Sequence, residues 1–145
     1  MFYTAEVNRE RFVRLAQELA ARDRPLATRL GEAREAAVQL REVAAEAVDA
    51  FRRTVHTEGA QHLGDIEVSP VEPDEKHVDC VQVRIRRGRW EALVVAKANG
   101  KVTLVGPFRR GKPEKPCEDF ELSGKQVEEG VEGLVDALIR QASEL

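Results

Sequence analysis

Apolar residues recur at helical spacing in the first third of this chain and alternate with polar ones in the middle, so the change of period divides it. Phe12, Leu15 and Leu19 form one stripe, with Ala16 and Ala20 beside it, and predict a helix from about Ala5 to Arg22 capped by Thr4 or Asn8. Pro25 breaks the pattern inside the charged turn Arg22-Asp23-Arg24-Pro25. A second helix carries Leu26, Leu30, Ala33, Ala37, Leu40, Ala44, Ala47 and Phe51 at alternating spacings of 4 and 3, a heptad seam. Four of these eight are alanines, which lets a partner element approach closely. Val38, Val48 and Val55, with Val43 nearby, widen the apolar face. One face is expected to pack on the first helix, the other on a sheet or a second subunit. Leu30, Ala33, Ala37, Leu40, Ala44, Ala47 and Phe51 are therefore the candidate self-association residues, and purely intramolecular packing is the alternative.

The helical period fades through His56-Thr57-Glu58-Gly59 and ends by Gly64. Ile66 and Val68 alternate with acids as a short strand, and Pro70 and Pro73 bracket an acidic loop. Val81, Val83 and Ile85 alternate with Cys80, Gln82, Arg84 and Arg86 as a half-buried strand. Arg87-Gly88 is a turn, residues 90–98 a third strand, and Asn99-Gly100 a hairpin signal, because both residues tolerate positive φ. Val102, Leu104 and Phe108 continue the alternation, and Phe120-Glu121-Leu122 is a short fifth strand. Ser123 and Gln126 form a capping box for a last helix lined by Val127, Val131, Leu134, Val135, Leu138, Ile139 and Ala142.

The predicted fold class is α+β. An N-terminal helical hairpin with a long heptad-like second helix precedes a four- to five-stranded antiparallel meander, and a C-terminal amphipathic helix packs on the sheet. At 145 residues a single domain, 1–145, is expected, with 1–63 helical, 64–122 sheet and 123–145 the closing helix. Cys80 and Cys117 make no disulfide framework. The N-terminus lacks a basic region followed by an apolar run, and no long uncharged apolar stretch occurs. The expectation is a cytoplasmic protein without a membrane partner.

Charge changes the picture more than composition does. Residues 76–115 hold eleven Lys/Arg and three acids, a net +8, inside a chain of net −3. Residues 64–75 carry −5 and residues 116–145 carry −6. In a meander, alternate turns share one end of the sheet, so Arg84, Arg86, Arg87, Arg89, Arg109, Arg110 and Lys112 become the candidate partner- or phosphate-binding residues. Clustered arginines grip carboxylates or phosphates bidentately.

No catalytic residues and no cofactor are assigned. Gly106-Pro107-Phe108-Arg109-Arg110-Gly111-Lys112-Pro113 approaches a phosphate-binding loop, but Pro113 stands where a magnesium-binding hydroxyl belongs. His77, Cys80, Cys117, His56 and His62 lack paired ligand spacings, so no metal is assigned. Ser69, Ser123 and Ser143 sit in no nucleophile motif, and an acidic neighbour, Glu118, discourages a Cys117 thiolate. The function expected is that of a small non-enzymatic adaptor or assembly protein: a homodimer through its helices, with an acidic protein partner on the arginine-rich sheet end. A nucleic-acid-binding module using the same basic cluster is the alternative, and a small enzyme with an illegible site the third reading.

Overall fold

The structure, a computed structural model, describes residues 2–23, 25–74, 79–112, 116–122 and 124–144; for residues 2–7, 21–23, 25–27, 116 and 117 the description is of backbone alone. Helix α1 (Phe2–Asp23) is followed by α2 (Pro25–Thr57) and a 3₁₀ turn at Gln61–Gly64. The strands are β1 (Glu67–Val68), β2 (Glu72–Pro73), β3 (Cys80–Arg87), β4 (Trp90–Lys97), β5 (Lys101–Arg109) and β6 (Pro116–Glu121), and α3 (Lys125–Ala142) closes the fold. All pairings are antiparallel, in the order β1-β3-β4-β5-β6, with β2 also on the β3 edge. This is the mixed α+β architecture that the change of period predicts. The two-residue strand β2 is an addition: Pro70 and Pro73 read as a loop, yet Pro73 sits on a sheet edge, where a missing N–H costs no ladder bond.

Alternation sorts the sheet into two faces. Val81, Val83 and Ile85 of β3, Ala92, Val94 and Ala96 of β4, and Val102 and Leu104 of β5 meet α2 and α3 in the main core. From α2 come Ala33, Ala37, Leu40, Ala44 and Val48, and from α3 Val127, Val131, Leu134, Val135 and Leu138. The alanines permit close approach, and so does Gly130 of α3. A Cβ on Gly130 would lie 2.9 Å from the Phe120 ring and 3.0 Å from Leu104. The capping box falls partly on Ser123, which lies outside the described residues; α3 begins after Gly124 with no side-chain cap bond from it.

Two features of α2 depart from expectation. Its buried stripe ends on Val48, with Ala47 and Phe51 only half-buried. A straight helix at 3.6 residues per turn drifts off a strict heptad, so the contact line moves one position along. The second difference concerns α1. The sequence pattern predicts that it folds back on α2, yet every residue from 8 to 20 is exposed, and among the described elements α1 touches only α2. One residue, Arg24, separates the two helices, too few to reverse the chain between antiparallel helices, and Pro25 suits the first position of a new helix.

The first sheet edge is sealed by α2. Arg41 donates from Nε to the Ser69 carbonyl at 2.7 Å and from Nη2 to that of Val68 at 3.3 Å. Arg52 donates from Nε to the Gly64 carbonyl at 3.0 Å and from Nη2 to that of Ile66. These guanidinium groups satisfy carbonyls that a neighbouring strand would otherwise have to meet. No helix among the described residues is long and apolar enough to cross a membrane.

Candidate functional site

The sheet face turned away from α2 and α3 carries the other half of the alternation. Register sets Gln82 beside Val95, Arg84 beside Leu93 and Arg86 beside Glu91 across β3 and β4. Leu93, Val95, Val105, Phe108 and Cys80 make a second, smaller apolar cluster built of strand residues alone.

At one end of this face the β3–β4 turn meets the end of β5. Trp90 pairs with both Arg87 and Arg109. Beyond the ladder, the Arg110 amide donates to the Arg89 carbonyl at 2.8 Å and its Nη2 donates to the Gly88 carbonyl at 3.0 Å. The two turns therefore share one end, as a meander requires. Gly106 makes the close approach possible. Its φ is +102°, and a Cβ there would lie 2.8 Å from the Glu91 carbonyl oxygen and 3.1 Å from the Ala92 Cα, beside the irregularity between Glu91 and Leu93.

Glu91 organises the cluster and is the residue that sequence reading missed. It is only 7% exposed. Arg86 and Arg110 both direct Nε at its Oε1, at 3.1 and 3.2 Å. A buried carboxylate needs such partners, and two half-exposed guanidinium groups supply them. The turn expected at Arg87-Gly88 would set Arg86 opposite Arg89; it falls one residue later, at Gly88-Arg89, and that shift puts Arg86 opposite Glu91. Arg109 stacks its guanidinium over the Trp90 ring, 5.8 Å from the centroid. Arg89, Arg109 and Lys112 are exposed and form no ion pair with a described residue.

Of the seven candidate binding residues, five gather here: Arg86, Arg89, Arg109, Arg110 and Lys112. Arg87 does not. Its side chain turns to the helical face, donating from Nη1 to the Ile139 carbonyl at 3.2 Å and to the Ser143 hydroxyl, and from Nη2 to the Leu63 carbonyl at 3.1 Å. It also lies over the Phe51 ring. Arg87 thus caps the C-terminal end of α3, where free carbonyls and the helix dipole favour a cation. Arg84 stands further along β3, its Nε buried with no hydrogen-bond partner among the described residues.

The candidate self-association residues fare differently. Ala33, Ala37, Leu40 and Ala44 are buried within the single chain, and Leu30, Ala47 and Phe51 pack on the same core. The sheet and α3 cover this seam, so it presents no surface there to a second subunit.

Elsewhere the basic block is met internally. Lys101 pairs with Glu121 at 2.6 Å, a bond that raises its pKa, and the Thr103 hydroxyl donates to Asp119 at 2.6 Å. Burial, then the Asp79 carboxylate, pushes the Cys80 thiol up to about 11; its Sγ lies 3.5 Å from Asp79 Oδ1. A thiol so held stays protonated at neutral pH and is a poor nucleophile. His56 and His62 are exposed, while His77 and the Cys117 side chain lie outside the described residues. Among the described residues no three His, Cys, Asp or Glu side chains gather to hold a metal. The phosphate-loop-like segment runs on as β5 through Arg109, and the next described element is β6 rather than a helix.

No protein-family model matches the chain, and no curated protein and no solved structure matches it.

Proposed function

We propose that this protein is a non-enzymatic binding module that takes an acidic segment of a partner protein on the arginine end of its sheet. The observation that carries the reading is the charge imbalance there. Glu91 forms ion pairs with Arg86 and Arg110, and Glu67 lies opposite Arg86 across β1 and β3, while Arg89, Arg109 and Lys112 have no ionic partner among the described residues. Backbone bonds between the two turns hold these cations on a fixed frame, so little ordering cost falls on binding. An acidic protein is favoured over nucleic acid because the chain is acidic as a whole, and Glu118, Asp119 and Glu121 on the same sheet confine the cationic surface to one end. We place it in the cytoplasm, because two cysteines make no disulfide framework.

The test is a triple charge reversal, Arg89→Glu, Arg109→Glu and Lys112→Glu, which touches neither the core nor the Glu91 pair. Titrated against a labelled oligoglutamate peptide, the native protein binds with an affinity that falls with salt, and the variant does not bind. Equal affinities of the two proteins overturn the reading.

A further inference from the structure

We infer that α1 is a dimerisation arm that pairs antiparallel with α1 of a second copy of this chain. The inference is independent of the proposed acidic partner. It begins from an energetic mismatch: α1 exposes Phe12 by 65%, Leu15 by 47% and Leu19 by 45%, and nothing in the described chain covers them. In proteins a helix draws most of its stability from packing an apolar face rather than from propensity, and the stripe of the 22-residue α1 packs on nothing described. Among the described residues the other large exposed hydrophobic side chains, Val13 on the same helix apart, are scattered singly at Val38 and Leu63.

The α1 stripe repeats the seven-residue spacing of the α2 seam. Phe12 and Leu19 stand seven residues apart, and they fall at multiples of seven from Ala33 and Leu40 in the buried seam of α2. The α2 seam is covered by the sheet and α3, and the α1 stripe by nothing among the described residues.

The flanking charges select the occupant and its direction. Arg11 precedes Phe12 and Glu18 precedes Leu19, so both flank the stripe on the same side. In an antiparallel pair that sets Phe12 against Leu15 of the second copy, Arg11 faces Glu18 of the second copy, and Glu18 faces its Arg11. Two reciprocal ion pairs arise from one surface, which is what a two-fold axis demands. A parallel pair sets Arg11 beside Ala16 and forms no such ion pair. A foreign helix has no reason to repeat this reciprocity.

The test is the solution mass of the full chain by light scattering and sedimentation, measured over a range of concentrations. The native protein runs as a dimer, and Leu15→Glu runs as a monomer with an unchanged unfolding transition of the body. Glu18→Arg weakens the dimer by about tenfold, through loss of two pairs and gain of two repulsions. The double variant Arg11→Glu with Glu18→Arg restores it, because the swap re-forms both pairs. A native protein that is monomeric throughout, a dimer indifferent to Leu15→Glu, or a charge swap that fails to restore association would each overturn the inference. The α1 variants leave the sheet end intact, so failure of the dimer and failure of acidic-peptide binding are read separately.

Discussion

Replacing Glu91 with Gln should weaken the fold and strengthen the grip on anions at once. The side chain keeps its shape but loses its charge, while Arg86 and Arg110 remain 3.1 and 3.2 Å from the same position. Hydrogen bonds to a charged group are worth about 1.5–3 kcal/mol each when buried. Here the arginine side chains are 36% and 53% exposed, so solvent screens both, and the amide oxygen still accepts one bond. The net loss of stability is therefore about 1–2 kcal/mol, read as a lower urea midpoint at unchanged slope. Removal of one negative charge also leaves the cluster more cationic. A unit charge at 4 Å in water is worth about 1 kcal/mol, so affinity for an anionic peptide at low salt should rise about fivefold. Urea denaturation and fluorescence anisotropy on the same preparation decide it. An unchanged midpoint would refute the ion-pair argument. Affinity falling with stability would refute the claim that the cluster acts through its surplus charge.

The remaining predictions separate structural from binding roles. Arg87→Ala should cost about 1–2 kcal/mol in denaturant unfolding, because it uncaps the α3 carbonyl and bares the Phe51 ring, yet leave anion affinity unchanged. Cys80 should resist a disulfide reagent at neutral pH in the folded protein, measured by peptide mapping so that Cys117 is scored apart. Its pKa is raised on folding from 9.0 to about 11, so the unfolded thiol ionises first and the unfolded state binds fewer protons over that interval. Stability relative to Cys80→Ser should then be constant below pH 9.0 and fall as pH rises from there towards about 11. A thermal midpoint difference that grows in the opposite direction would contradict the sign.

Much of the fold was legible because each element declares a period. The α2 seam, the alternation of Val81, Val83 and Ile85, the Asn99-Gly100 turn and the α3 stripe all reappear in the core or at their turn. What covers a stripe is a tertiary fact. An alanine-rich seam fits a sheet as well as a helix, so the sequence pattern of α2 did not distinguish its own sheet from a second subunit. The same pattern in α1 did not reveal that nothing among the described residues covers it. The candidate site was legible as a neighbourhood, since strand order brings the two turns together. The fate of single arginines was not, because a long flexible side chain such as Arg87 chooses between faces according to elements distant in sequence. Glu91 was hidden by one residue of register, since a turn at Arg87-Gly88 sets Arg86 opposite Arg89 and the observed turn at Gly88-Arg89 sets it opposite Glu91.

The most direct measurement compares two labelled polyanions of equal charge, an acidic peptide and a single-stranded oligonucleotide, by anisotropy at low and physiological salt. Each is titrated with the native protein and with the Arg89→Glu, Arg109→Glu, Lys112→Glu variant. Binding of the peptide that persists at physiological salt, exceeds that of the oligonucleotide and vanishes in the variant is the predicted result. Preference for the oligonucleotide would contradict the protein-partner reading, and peptide binding that survives the triple reversal would remove the arginine end as its site.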